Sequence, residues 1–149
     1  MLWVLCGYEV FKGERKMKKV MLITLAVVIY ALCLAGCSPY TSKYNAFAFV
    51  HSNTSDSASM SFSEFEGTMV FKLECKGGAD AKICYSTKLK GGSATIYYDH
   101  DGTKQKLTSA VEGEQNKGSA KGLKNETVYV IVETNKKCEN GEFSFEIQQ

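Results

Sequence analysis

The run TVYVIVE at Thr127–Glu133 is the most apolar stretch in the C-terminal half of the chain. Its β-branched and aromatic residues favour a strand, and the lack of alternation favours a central strand covered on both faces. A second run, MVFKLEC at Met69–Cys75, alternates apolar with mostly polar residues, which indicates a half-buried strand. These two stretches predict a β fold, and the rest of the chain is interpreted around them.

Short β-like runs continue on both sides of these two stretches. They are Tyr44–Val50, Met60–Phe65, Ala81–Leu89, Ala94–Tyr98, Thr103–Val111 and Phe143–Ile147. Turn signals separate them, including Gly91-Gly92 and Asp101-Gly102. No helical periodicity is found after residue 37. The pattern predicts an all-β, antiparallel β-sandwich of seven or eight strands, jelly-roll-like, after an N-terminal helix.

Four local expectations follow from the same patterns. Met69–Cys75 and Ala81–Leu89 are expected to form a hairpin, and Tyr44–Val50 is expected to be a strand buried on both sides, because both of its faces carry apolar groups. Two polar segments, Ser52–Ser59 and Glu112–Gly122, are expected to be loops.

The N-terminal region has a different character. Lys18 and Lys19 precede an uncharged apolar run from Val20 to Ala35. This run is shorter than the roughly 20 residues of a membrane-spanning helix, and it follows a basic head, which is typical of the hydrophobic core of a secretory signal. It ends in Leu34-Ala35-Gly36-Cys37, whose small residues suit a cleavage site.

Together, the basic head, the apolar core and Leu34-Ala35-Gly36-Cys37 resemble a bacterial lipoprotein signal peptide with its lipobox. The resemblance implies that Cys37 carries a diacylglycerol thioether and that cleavage makes it the first residue of the mature chain. It also implies a lipid-anchored protein on the extracytoplasmic face of a cell membrane, because two or more acyl chains give stable attachment.

The domain limits follow from this signal. Residues 1–16 contain Glu9 and Glu14 before the basic head, so they are interpreted as an upstream mis-start, with Met17 as the start. Residues 17–36 are then the signal peptide, 37–42 a lipidated tether and 43–149 the β-sandwich domain. Removing residues 1–36 leaves 13 basic and 14 acidic residues, a balance that gives no indication of nucleic-acid binding.

The second half of the domain also resembles bacterial pre-peptidase-type and jelly-roll carbohydrate-binding modules. The resemblance rests on Gly92–Tyr98, Asp101-Gly102, Gly122-Leu123, Val128–Val132 and Gly141 before Phe143. These features are common to many β-sandwiches, so they support the fold and not a function.

Three of the six cysteines, Cys75, Cys84 and Cys138, belong to the exported domain. Disulfides persist outside the cytoplasm, and three cysteines allow one bridge. Cys75–Cys84 is the first candidate, across the expected hairpin, with Cys84–Cys138 and Cys75–Cys138 as alternatives. A redox or metal site would need more ligands than these residues offer.

Other candidate sites have structural alternatives. Asp99-His100-Asp101-Gly102 could begin a calcium loop, but Thr103 and Ala110 stand where further oxygen ligands would be needed, so a hairpin turn is preferred and no metal or cofactor is expected. Tyr97, Tyr98 and Tyr129 could stack on sugar rings or simply pack in the sheet. No nucleophile motif accompanies the two histidines, so no enzymatic activity is expected.

The sequence therefore predicts a membrane-anchored lipoprotein with a small β-sandwich that binds an unspecified ligand or serves the cell envelope. The two alternatives are a carbohydrate-binding module and a protein-interaction or inhibitor domain. The latter would use an exposed strand edge or a long loop such as Glu112–Gly122.

Overall fold

A computed structural model describes residues 39–76, 81–123 and 127–149. The segments expected to be an upstream mis-start and a signal peptide, together with Cys37, lie outside the described residues. The strands are β1 (Lys43–Phe47), β2 (Val50–Asn53), β3 (Ser57–Glu74), β4 (Lys82–Gly91), β5 (Ser93–Asp99), β6 (Gln105–Val111), β7 (Gln115–Lys121), β8 (Thr127–Thr134) and β9 (Cys138–Gln148). All pairings between them are antiparallel.

The described residues include no helix that could span a membrane.

The sheet is organised around β3, an 18-residue strand. Its N-terminal half pairs with β9 and its C-terminal half with β8. Both lie on the same side of β3, because β1 occupies the other side: Phe65 is opposite both Cys138 and Ala46. β2 continues the β1 side opposite residues 58–61 of β3.

The remaining strands extend the sheet in the same way. β4 lies between β9 and β7, and β5 lies between β8 and β6. We therefore describe a first layer of β2, the N-terminal half of β3, β9, β4 and β7, and a second layer of the C-terminal half of β3, β8, β5 and β6. Gly92 joins β4 to β5, and Gly113 lies in the turn from β6 to β7. Both have positive φ, which glycine adopts without steric cost.

The two layers pack face to face over one hydrophobic core. Phe71 of the second layer and Phe145 of the first lie with their ring centroids 6.1 Å apart. At the bend between the layers the inward alternation slips by one residue, because Phe62 and Phe65 are both buried although they are three residues apart. Val128, Val130 and Val132 of β8 are fully buried, which confirms that Thr127–Glu133 is a central strand. The all-β, antiparallel sandwich is confirmed, with nine strands where seven or eight were predicted.

Several local predictions are wrong. β4 pairs with β9 and β7, so the expected hairpin between Met69–Cys75 and Ala81–Leu89 does not form. Tyr44–Val50 is divided into β1 and β2 at Ala48, which has a φ of 46°, and both short strands are exposed. Most of the expected loop Glu112–Gly122 is the edge strand β7.

Gly141 is required by the packing beneath the first layer. It lies opposite Phe62 on the neighbouring strand, and a Cβ atom at residue 141 would be 2.1 Å from Cζ of that ring. The ring therefore covers the glycine, and no larger residue fits without moving Phe62.

Candidate functional site

A row of four serines crosses the outer face of the first layer. Ser52 of β2 lies opposite Ser59 of β3, Ser59 opposite Ser144 of β9, and Ser144 opposite Ser86 of β4. Because opposite residues share a face and neighbouring strands are about 4.8 Å apart, the row spans about 14 Å. We call this row and the residues beside it the serine floor.

The sequence places the serines outward for a simple reason. The apolar residues of β3 and β9 occupy alternate positions, including the buried Met60 and Phe143. The intervening Ser59 and Ser144 must then face solvent. Because serine side chains are small, they protrude little from the sheet. The opposite face of the sheet packs on the hydrophobic core.

Two open depressions meet along the serine row. One, of about 480 Å³, also includes Ser57, Cys84 and Glu146 in its lining. The other, of about 370 Å³, extends over Ser61, Glu142 and Lys88 instead. The four serines are the residues that the two linings have in common. The four serines therefore form a flat strip along which the two depressions meet.

Charged groups surround this strip in both signs. Glu142 and Glu146 flank Ser144 on β9, Lys88 is opposite Glu142, and Lys117 is opposite Ser86. Serine hydroxyls both donate and accept hydrogen bonds, carboxylates accept them and lysines donate them. The floor can therefore provide hydrogen-bond partners for a ligand that has many hydroxyl groups, and the ligand itself need not be charged.

The edge of the first layer beside the floor is apolar. Val50 of β2, opposite Ser61, is 68% exposed, and Phe47 of β1 is 69% exposed. In the described residues β1 and β2 pair only with β3, so their other side is open. This edge combines unpaired backbone groups with apolar side chains.

The three tyrosines proposed as stacking residues do not form one strip. Tyr98 is buried, faces the core and donates a hydrogen bond to Gln105. Tyr97 and Tyr129 lie on the outer face of the second layer, half-buried, where the ammonium group of Lys104 lies 4.1 Å from the centroid of Tyr97. A stacking role for Tyr97 and Tyr129 stays a prediction, whereas for Tyr98 it is wrong because the ring is enclosed.

The segment before β1 is fixed onto this second face. The ring of Tyr40 packs edge-on against Tyr129, with centroids 5.5 Å apart, and its hydroxyl donates a 2.7 Å hydrogen bond to Asp99. Ser42 accepts a hydrogen bond from the backbone amide of Val70. Tyr40 and Ser42, expected to belong to a tether, thus contact the sandwich, and Tyr40–Gln149 forms one compact unit.

Asp99 organises the turn after β5. It accepts hydrogen bonds from the backbone amides of Asp101 and Gly102 in addition to the Tyr40 hydroxyl. Burial opposes the charged form, but these donors outweigh it and lower the pKa of Asp99. Burial and the bond to Asp99 raise the pKa of Tyr40 to about 12. The carboxylate is therefore a turn cap, in agreement with the preferred hairpin-turn interpretation.

No disulfide joins any two of Cys75, Cys84 and Cys138. Cys75 and Cys138 are buried in the core, whereas Cys84 lies on the serine floor, half-buried. The expected Cys75–Cys84 bridge is wrong because the two residues face opposite sides of the sheet and β9 separates β3 from β4. Cys138 donates to the carbonyl of Ser93, and burial raises the pKa of its thiol.

The histidines occupy packing positions. His51 stacks on Phe49, and the buried His100 stacks on Tyr98 with an interplanar angle of 14°. Among residues 39–76, 81–123 and 127–149 no group of three or more His, Cys, Asp or Glu side chains could hold a metal ion.

Comparisons with known proteins identify structures with weak similarity to this chain, at TM-scores of 0.43 and below. No protein-family model matches the chain, and no curated protein is significantly similar to it. It resembles the periplasmic lysozyme inhibitor PliG of Aeromonas hydrophila, with a TM-score of 0.43 and 12% identity over 63% of this chain and 88% of that one. It also resembles TmCBM61, solved with β-1,4-galactotriose, with a TM-score of 0.38 and 14% identity over 68% and 70%. A CBM4 structure gives 0.37 and 8% over 72% and 78%.

Sequence reasoning missed the serine floor. Serines between β2 and β3 were interpreted as turn formers, although Ser57, Ser59, Ser61 and Ser63 recur with a period of two beside buried residues. That period was the available signal. The alignment of this strand with Ser144 and Ser86 could not be found, because it depends on which strands pair.

Proposed function

We propose that the protein is a lipid-anchored extracytoplasmic lipoprotein whose β-sandwich binds a glycan on the serine floor. The anchor is supported by the lipobox-like Leu34-Ala35-Gly36-Cys37 behind a basic head and an apolar core. The binding role is supported by one structural observation, the four-serine row shared by two depressions.

The chemistry of the floor favours a glycan over other ligands. A glycan offers closely spaced hydroxyls that must be both donors and acceptors, and serine hydroxyls can match either role. Glu142 and Glu146 add acceptors at the centre, and Lys88 adds a donor at the side. The floor is open and about 14 Å long, which suits an extended chain of several sugars better than a small enclosed ligand.

A binding role is also preferred to a catalytic one. The carboxylates beside Ser144 lie on an open surface, and each histidine is accounted for by its stacking on an aromatic ring. Catalysis would require a positioned base beside a nucleophile in a site that excludes water. The floor is therefore suited to binding a glycan chain and not to catalysing a reaction on it.

The test is retention of the protein on polysaccharide affinity gels, followed by titration with oligosaccharides of the retaining glycan. The variant Ser59→Ala/Ser144→Ala removes two hydroxyls and should weaken binding about tenfold, at roughly 0.7 kcal/mol for each hydrogen bond. Ser109→Ala on the outer face of the second layer is the matched control and should bind like the wild type. Equal binding by all three proteins, or no glycan retention at all, would contradict the proposal.

A protein partner is the second candidate, favoured by the exposed edge of β1 and β2. Phe47 and Val50 protrude from an edge whose backbone groups are open to strand addition. A photo-cross-linker placed at residue 47 in cells should then capture one defined protein. The same cross-linker at Lys106, on the second layer, should not. Capture at both positions, or at neither, would remove this candidate.

A further inference from the structure

The place where the N-terminal segment joins the sandwich limits how an anchored domain can stand on a membrane. Tyr40 is held on the outer face of the second layer by the ring of Tyr129 and by the carboxylate of Asp99. Cys37 precedes it by three residues, so even a fully extended chain puts their Cα atoms at most about 11 Å apart. A tether that ends at Tyr40 is therefore very short.

We propose that the outer face of the second layer, with the turn after β5, is the surface that faces the lipid headgroups, and that the Tyr40–Asp99 hydrogen bond latches it there. This inference rests on the proposed lipid anchor at Cys37. The two layers of a sandwich expose their outer faces on opposite sides, separated by about 10 Å of core plus side chains. The serine floor is consequently the face turned away from the membrane.

The side chains around the latch suit such a surface. Tyr40, Tyr97 and Tyr129 are amphipathic rings, a residue type favoured at the boundary between water and lipid. Lys72 lies opposite Tyr129, and Lys106 lies opposite Tyr97. Both lysines are exposed and can reach lipid phosphates, whereas Lys104 is already paired with Glu133.

The Tyr40–Asp99 hydrogen bond determines whether the anchored domain rotates freely or keeps one orientation on the membrane. If the segment before β1 were loose from residue 37 to residue 42, the domain could rotate and present any face to the membrane. With Tyr40 bound, only Ser38 and Pro39 separate the lipidated residue from the fixed one. The orientation is then set by the protein and not by chance.

The test uses the full-length lipidated protein in phosphatidylcholine vesicles containing phosphatidylglycerol. In a Cys84→Ser background, Thr103→Cys places a thiol in the turn beside the latch, and Ser144→Cys places one on the serine floor. Labelling by a bulky polyethylene-glycol maleimide is measured in vesicles and in detergent. We expect labelling of residue 103 to be several-fold slower in vesicles than in detergent, and labelling of residue 144 to be unchanged.

Adding Tyr40→Phe tests the latch itself, because it keeps the ring and removes the hydroxyl. Residue 103 should then label in vesicles nearly as fast as residue 144. Sedimentation with the vesicles is recorded for every variant: a protein that does not sediment contradicts the lipid anchor. A protein that sediments but labels equally at both residues overturns the orientation. Continued protection of residue 103 in Tyr40→Phe overturns the latch.

Discussion

The two outer faces of the sandwich differ although the strands beneath them share the same inward pattern. The first layer presents a low strip of serines with charges on either side and an apolar edge at Val50. The second presents tyrosines and lysines, and the segment containing Tyr40 lies across it. The serine strip lines two open depressions, whereas the second face holds the segment that contains Tyr40. The difference supports our proposal that the second face is turned toward the membrane and that the serine floor binds the ligand.

The largest expected contrast concerns the thiols. Cys84 lies on the open floor, whereas Cys75 and Cys138 are buried and the pKa of Cys138 is raised by burial. Since the thiolate is the reactive form, Cys84 should react with a small maleimide within minutes and the two buried thiols only on unfolding. Peptide mapping of the labelled native protein reads this out. Reaction at none of the three before reduction would indicate a disulfide and contradict the assignment of the faces.

The packing under the floor provides the largest stability effect. Gly141→Ala places a methyl group against the Phe62 ring and should destabilise the domain by about 3 kcal/mol through overpacking. Gly102→Ala is the control at the opposite face: nothing lies within 4 Å of its Cβ position, so only its φ of 88° is strained, at about 1 kcal/mol. Urea denaturation compares the two. Equal losses would show that the floor does not depend on the Phe62 contact.

The latch provides a smaller and pH-dependent effect. Tyr40→Phe should cost about 1.5 kcal/mol at neutral pH, as expected for a hydrogen bond to a charged group. The pKa of Asp99 is lowered in the folded state. The ionised carboxylate therefore adds to the free energy of unfolding above an ordinary aspartate pKa of about 4, and this addition is lost as pH falls through the lowered value. The pKa of Tyr40 is raised to about 12, so its contribution is present below pH 10 and is lost as pH rises through that value.

The difference in unfolding free energy between Tyr40→Phe and wild type should therefore be constant through the neutral range and shrink at both extremes. Denaturation of both proteins across the pH range measures it. A difference that grows on acidification would mean that Asp99 is not the partner of the hydroxyl.

The smallest effect concerns the inside of the first layer. Thr87 is fully buried, and its hydroxyl has no hydrogen-bond partner in the described structure. Thr87→Val keeps the shape and removes the unsatisfied group, so it should stabilise the domain by about 1 kcal/mol. Thr95→Val on the outer face of the second layer should leave stability nearly unchanged. A loss of stability in Thr87→Val would imply that a water molecule satisfies the hydroxyl.

The inward side chains could be predicted from the sequence because burial imposes alternation directly on each strand. Thus Phe71 and Leu73, and likewise Phe143 and Phe145, are buried as their spacing indicates. Strand pairing could not be predicted in the same way. β3 and β4 have compatible patterns, but β9, which begins at Cys138, 47 residues after β4 ends at Gly91, lies between them. Partner choice depends on long-range packing that no local pattern records.

The remaining wrong predictions concern strands at the two edges of the first layer. Gln115–Lys121 has no run of β-favouring residues and is a strand because β4 offers it a partner. Tyr44–Val50 has an apolar pattern but lies at the other edge, so apolar content did not mean burial. The serine floor was only partly predictable. The serines of β3 recur at every second residue, which indicates a strand, but the polar composition of this segment had suggested a loop.

The most direct test of the assignment of the two faces is glycan capture by the anchored protein. Vesicles carrying the lipidated chain are titrated with a fluorescent form of a glycan that retains the protein on gels, beside the unanchored Cys37→Ala protein. Both should bind with the same Kd, because the proposed orientation turns the serine floor away from the membrane. Binding by the unanchored protein alone would contradict the assignment of opposite roles to the two faces.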